Sequence, residues 1–182
     1  MPTTITTELD RILTEAQATL RLVSEHDPEA PSPCEIGQPW VVDEHYQTRW
    51  EPTLRDTASD FDGLERALEL EIHPDIKTYY ARYWADHVPV VAPDGDLTLL
   101  FVWNELDRDR LLENLINHAV ACKHNKTPFS VFFASTEPDG EYYLTVDNTT
   151  GAVLVERPGH GPIRTAAASL SEFLATISVR SA

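Results

Sequence analysis

Basic residues are scarce in this 182-residue sequence: fourteen Lys and Arg stand against thirty Asp and Glu, for a net charge of −16. Such a field repels phosphate backbones and anionic lipid, and it argues against nucleic acid as a partner, which needs Lys and Arg to displace condensed counterions. Cysteine is scarcer still. Cys34 and Cys122 form no metal-type pair, so the chain is not a disulfide scaffold, and two reduced, buried thiols are expected. With only seven glycines there is no phosphate-cradling loop; Gly159-His160-Gly161 lacks the following Gly, Lys and Ser/Thr and runs into Pro162. Long apolar runs are missing too. The longest, LTLLFVW at 97–103, falls far short of the roughly 20 residues of a membrane span, so no direct membrane insertion is expected. The N-terminal MPTTITTELDRIL has no basic stretch leading into an apolar one, hence no signal peptide is read there and a cytosolic chain is expected.

Catalytic signatures are absent as well. There is no Gly-x-Ser-x-Gly elbow, and Cys34 lies in a proline-rich stretch rather than at a helix start. His118 and His124 are six apart, which is not a His-x-x-x-His pair, and His45 after Asp43 and Glu44 reads as a solvated loop histidine. No metal, cofactor or catalytic residue is expected, and the chain reads as a non-enzyme.

What is present is an ordinary supply of core residues, 42% hydrophobic, in a length that suits one domain over 1–182. Leu9, Ile12, Leu13, Ala16, Leu20 and Val23 recur at helical spacing, predicting an N-terminal helix within 1–27, with Thr7 and Asp10 at its start and Pro28 as its stop. Four prolines in residues 28–39 predict a stiff, irregular connection. A strand is expected at 47–50. A helix over 59–70 would be capped by Ser59, and another opens at Pro74 with Ile76, Tyr79, Tyr80 and Tyr83 as its packing side, ending near Trp84. A strand buried on both faces is predicted at 97–103. Asn104 then caps the clearest helix, with Asp107 third in it and Leu106, Leu111, Leu112, Leu115, Ile116, Ala119 and Val120 as its apolar stripe. A β-meander follows at 130–135, 141–147 and 152–156, with a turn over Glu137-Pro138-Asp139-Gly140. The loop at 157–162 is expected to be exposed, and Ser169 opens a last helix. This order predicts an α+β fold, a mainly antiparallel sheet covered by helices.

The acids are unevenly placed. Between residues 35 and 113 eighteen acidic residues face seven basic ones, whereas the stretch from Arg157 onward holds three arginines and one acid. Asp60, Asp62, Glu65 and Glu69 cluster about one short helix, and Glu105, Asp107, Asp109 and Glu113 lie on another. Side by side, the two would make one negative face; apart, they would be two solvated helix surfaces. Trp103 reads as core. Trp84 is a candidate anchor beside the acids.

Pro31-Ser32-Pro33-Cys34, Trp50-Glu51-Pro52, Glu65-Arg66-Ala67, Ile72-His73-Pro74 with Tyr79-Tyr80, Leu97-Thr98-Leu99-Leu100 with Trp103, and Glu113-Asn114-Leu115-Ile116 with His118 follow one another as in the Syd family, the SecY-interacting proteins of bacteria. The chain resembles that family from Pro31 to the C-terminus, most specifically over 97–118. The resemblance implies a monomeric, peripheral protein on the cytoplasmic side of the inner membrane, which binds basic cytosolic loops of SecY, the Sec translocase channel, through an electronegative concave surface. It also places the chain near a wider superfamily whose members resemble toxin-immunity proteins. An immunity protein against a basic toxin domain is therefore the alternative, and acid clusters suit both.

Overall fold

The computed structural model describes residues 3–55, 61–137, 140–157 and 159–180. Helix α1 (Ile5–Thr19) starts at Thr4, whose hydroxyl accepts from the Thr7 N–H at 3.2 Å, so Thr4 rather than Thr7 is the cap. The helix ends sooner than its apolar spacing predicts. Leu20 turns extended, and Val23 enters strand β1 (Val23–Glu25), which pairs antiparallel with Arg49 and its neighbours. Sheet pairing thus overrides helical periodicity once a β-branched residue finds a partner strand.

The proline-rich stretch is also more regular than expected. Strand β2 (Glu35–Val42) takes up residues 35–39 and pairs with β3 (His45–Trp50) in a three-stranded antiparallel sheet ordered β1-β3-β2. The physical reason is its edge position. Pro39 lies at a register shift between Ile36 and Trp40, where Gly37 has φ +74°, and a proline costs no ladder hydrogen bond at an edge bulge. Asp43 and Glu44, both at positive φ, make the tight turn into β3.

Strand β4 (Thr53–Leu54) is followed by helix α2 (Asp62–Leu68), whose expected cap Ser59 lies outside the described residues. Helix α3 (Pro74–Arg82) begins at Pro74 as expected, and the His73 ring accepts from the Asp75 N–H at 3.2 Å. Ile76, Tyr79 and Tyr80 are buried. Tyr83 and Trp84, however, form strand β5 (Tyr83–Trp84) opposite β4 instead of continuing or ending the helix. Aromatic residues lose little in an extended segment that pairs.

The main sheet has seven strands, all antiparallel, in the order β11-β10-β9-β8-β7-β6-β12. Strand β6 (Val88–Ala92) has no counterpart among the expected elements. β7 (Gly95–Leu99) stops before Phe101 and Val102, which are buried but bonded elsewhere, Val102 bridging to Trp84. Helix α4 (Glu105–Asn125) starts at Asn104 as expected, the Asn104 side chain accepting from the Asp107 N–H at 2.9 Å. β8 (Ser130–Thr136), β9 (Tyr143–Asp147) and β10 (Val153–Arg157) form the expected meander; Pro138 and Asp139 of its first turn lie outside the described residues. β11 (Gly161–Ala167) is an additional edge strand that starts within the last residues of the loop expected at 157–162. Ser169 caps α5 (Leu170–Ala175), and β12 (Ser178–Val179) closes the other edge.

One buried cluster runs from Ile5 to Val179. Helix α1 packs on α3, α5 and β12. Helix α4 differs from the rest. Only Leu115 and Cys122 are buried on it, while Leu106 is 45% and Val120 62% exposed, and Ile116 is exposed too. Its apolar stripe is the expected core face only in part: Leu115 joins the core cluster and Leu111 and Leu112 pack against it, whereas Leu106, Ile116 and Val120, roughly 100–180° around the helix from Leu115, face outward. The helical neighbour of α4 is α2.

Gly151 has φ +75°, and an added Cβ would come within 2.6 Å of His73 Nε2. We expect Gly151→Ala to destabilise the fold by on the order of 2 kcal/mol, through both strain and displacement of the α3 cap, as read by urea unfolding.

Candidate functional site

Helices α2 and α4 pack directly against each other, so the acids on them come from neighbouring elements. Their circumstances differ. Asp60 lies outside the described residues. Glu65 is held within the fold: it forms an ion pair with Lys77 and accepts from the Ile72 N–H at 2.8 Å, and Lys77 draws its carboxyl below the ordinary range. Asp107 accepts from the Trp103 N–H at 3.0 Å, closing the first turn of α4. Asp109 is exposed and bonded to Arg108 at 2.8 Å. Asp62, Glu69, Glu105 and Glu113 are exposed and have no ion-pair partner among the described residues. Trp84 is half-buried in β5, and the Arg55 guanidinium lies 3.9 Å from its ring centre, so one face of the indole is already covered.

A second acidic feature is a hollow of about 620 Å³ between the β1–β3 edge, the segment at 86–87 and the start of α4. Among the described residues five carboxylates line it, from Glu25, Asp27, Glu44, Asp86 and Asp107, together with His26, His45 and His87, and Arg110 is the only Lys or Arg among them. Trp103, Tyr46 and Leu106 supply apolar wall. The acids find little cationic company. Glu25 meets the His45 ring at 3.5 Å, while Asp27, Asp86 and Asp107 accept from backbone N–H groups of Glu29, His87 and Trp103. His26 is turned to Glu35 at 2.6 Å. No three His, Cys, Asp or Glu among the described residues are grouped to hold a metal ion. The negative charge is spread over the hollow's width, an arrangement that fits an extended cationic segment better than a point charge.

This hollow was hidden in the sequence. Its acids come from residues 25–27, 44 and 86, which meet only because β1 pairs with β3 and Trp84 bridges to Val102. Asp43, Glu44 and His45 read locally as a solvated turn. Only Asp107 belongs both to the expected acids and to the hollow.

The model of the Syd protein (SUKH-2) family matches residues 7–178. A Protein Syd of Pseudoalteromonas atlantica is 37% identical over 150 residues, covering 82% of this chain and 80% of that protein. One from Colwellia psychrerythraea is 35% identical over 158 residues, 84% and 78% of the two chains, and one from Hahella chejuensis is 40% identical over 125 residues, 69% and 64%. The chain belongs to the Syd family.

Many of the residues that make the chain recognisable as a Syd protein hold the fold. Trp50 and Trp103 meet edge to face with ring centres 6.0 Å apart. The Ser32 hydroxyl donates to the Trp103 carbonyl and lies 2.8 Å from the Cys34 thiol, which burial pushes up to about 11. Both cysteines are buried and unpaired. Tyr79 and Tyr80 lie in the core, and His73 donates its N–H to Asn148 at 2.9 Å. Among the described residues no helix is long and apolar enough to cross a membrane.

Glu65 has a depressed folded-state pKa, so its stabilising effect is present above the ordinary value of 4.5 and is lost as pH falls through the lower folded value. Glu65→Gln should therefore cost about 1 kcal/mol at neutral pH after solvent screening. The difference from wild type should vanish on acidification below that range in urea titrations at several pH values.

Proposed function

We propose that this Syd protein binds the basic cytosolic loops of SecY as a non-catalytic peripheral factor on the cytoplasmic side of the inner membrane, and that it acts as a regulator or quality-control factor of the channel. The observation that carries this reading is the hollow with five carboxylates and a single arginine. A loop rich in Lys and Arg gains Coulomb energy from each carboxylate it approaches, and its aliphatic stems find Trp103, Tyr46 and Leu106. The exposed Asp62, Glu69, Glu105 and Glu113 extend the same field over α2 and α4 and steer the encounter. Asp109 and Trp84 border that surface in the same reading, and Asp60 remains an expected member from the sequence alone. Membership of the Syd family supports SecY as the partner over a basic toxin domain, which would use the same chemistry.

The reading makes two demands on a pull-down from inner-membrane extracts with SecY probed directly. Retention should fall steeply as salt rises, because screening shortens to about 8 Å at physiological ionic strength. Glu25→Lys, Asp27→Lys and Glu44→Lys combined should abolish retention with cooperative unfolding intact, since all three residues are exposed. Charge reversal of Asp62, Glu69, Glu105 and Glu113 should weaken retention less and mainly slow association. Full retention by both variants would sink the reading.

A further inference from the structure

The second half of α4 and the β8–β9–β10 face enclose a cavity of about 600 Å³, separate from the acidic hollow. Phe132, Tyr143 and Pro128 give it a largely apolar wall. Glu156 lies among them, only 8% exposed. One of its carboxyl oxygens accepts from the Thr145 hydroxyl at 3.0 Å. The other meets no donor among the described residues and is not sealed off, so it opens on the cavity. Arg157, at the mouth, is drawn away by Glu141 at 3.1 Å and is half exposed. His118 lies near the Ser130 hydroxyl and the Cys122 thiol, each at 3.5 Å from Nε2.

A carboxylate that is nine-tenths buried with a single neutral hydrogen bond is costly, since burial removes water without replacing it. Among the described residues no ion pair, helix cap or backbone N–H engages the charge. A cation entering the cavity would supply the missing donors, and aromatic walls suit the flat guanidinium and aliphatic stem of an arginine. We propose that this cavity is a second anchoring pocket for the partner, receiving one long cationic side chain, arginine foremost, of the basic loop whose neighbouring residues occupy the acidic hollow.

The spacing along α4 is compatible with one segment reaching both. Asp107 lines the hollow and His118 lines the cavity, eleven residues apart, or roughly 16 Å along the helix axis. An extended chain covers that in about five residues. The exposed Glu113 lies between them. The pairing of the two sites rests on the basic-loop reading above, whereas the cation pocket can be tested without it.

Two experiments separate them. Ethylguanidinium titrated into the whole protein, followed by backbone amide shifts, should perturb residues around Phe132, Tyr143 and Glu156. Glu156→Gln should weaken that response by at least about tenfold. Shifts confined to other acidic surfaces, or an unchanged response in Glu156→Gln, would overturn the pocket whatever SecY does. In the membrane assay, Glu156→Gln, and independently Ala121→Trp, which fills the cavity from α4 and leaves the carboxylate in place, should each cut retention by about tenfold or more. Unchanged retention in both, with the hollow variant still inactive, would overturn the second anchor and leave the basic-loop reading standing.

Discussion

The fold depends on how Tyr79 and Tyr80 are held. Both phenols are buried, and both donate to carbonyls of one strand, Tyr80 to Phe132 at 2.6 Å and Tyr79 to Phe133 at 3.4 Å. Those carbonyls lie at the place where β8 slips register against β9, between Phe132 and Ala134. The irregularity gives the strand acceptors that the regular ladder does not use up; Phe133 also accepts from the Leu100 N–H. Burial pushes both hydroxyls far above the ordinary tyrosine range, so they remain protonated donors. Helix α3 is thereby fixed to the sheet, and α1 and α2 are fixed to α3. Arg82 grips Asp10 of α1 with two bonds, joined by the Tyr83 hydroxyl; Lys77 holds Glu65 of α2; and His73 meets the β9–β10 turn.

This hub explains why the acidic residues divide into two kinds. Those near α3, such as Glu65 and Asp10, are spent on joining elements and lie beside cations. Several of those farther out, such as Asp62, Glu69, Glu105 and Glu113, have no ion-pair partner among the described residues. The few arginines of the C-terminal part are also spent on joining, Arg164 to Asp94 and Arg180 to Asp96. A chain with so few bases that commits them to its own seams leaves the rest of its negative field uncompensated. The cost is self-repulsion, which the large antiparallel core offsets.

Local signals were legible in the sequence, and assembled ones were not. Pro74, Asn104 and Ser169 announce α3, α4 and α5 because a cap is a bond between residues two or three apart. The meander is legible through its turns. The strands β1, β2 and β11 escape because each is stabilised by a distant or irregular partner and not by its own pattern, whereas β6 forms a regular hairpin with β7 that its short VPVVA run does not announce. The stripe on α4 shows a partial error: periodicity reveals an amphipathic helix but not how much of its apolar side is covered, and here Leu115 is core while Leu106, Ile116 and Val120 face solvent. The site divides in the same way. Helical acids stand out along the chain, whereas the hollow gathers acids from four segments that only tertiary pairing brings together.

The placement of α4 has two consequences. Closed down over the sheet, its second half would cover Glu156 and leave a charged group sealed in apolar surroundings. Held instead by Asn104 at one end and by α2 along its side, α4 keeps that carboxylate in reach of water and of a cation. The same placement carries Asp107 to the rim of the acidic hollow. One rigid element thus bears on both anionic depressions, with Glu113 between them, which fixes their separation without any loop having to order itself.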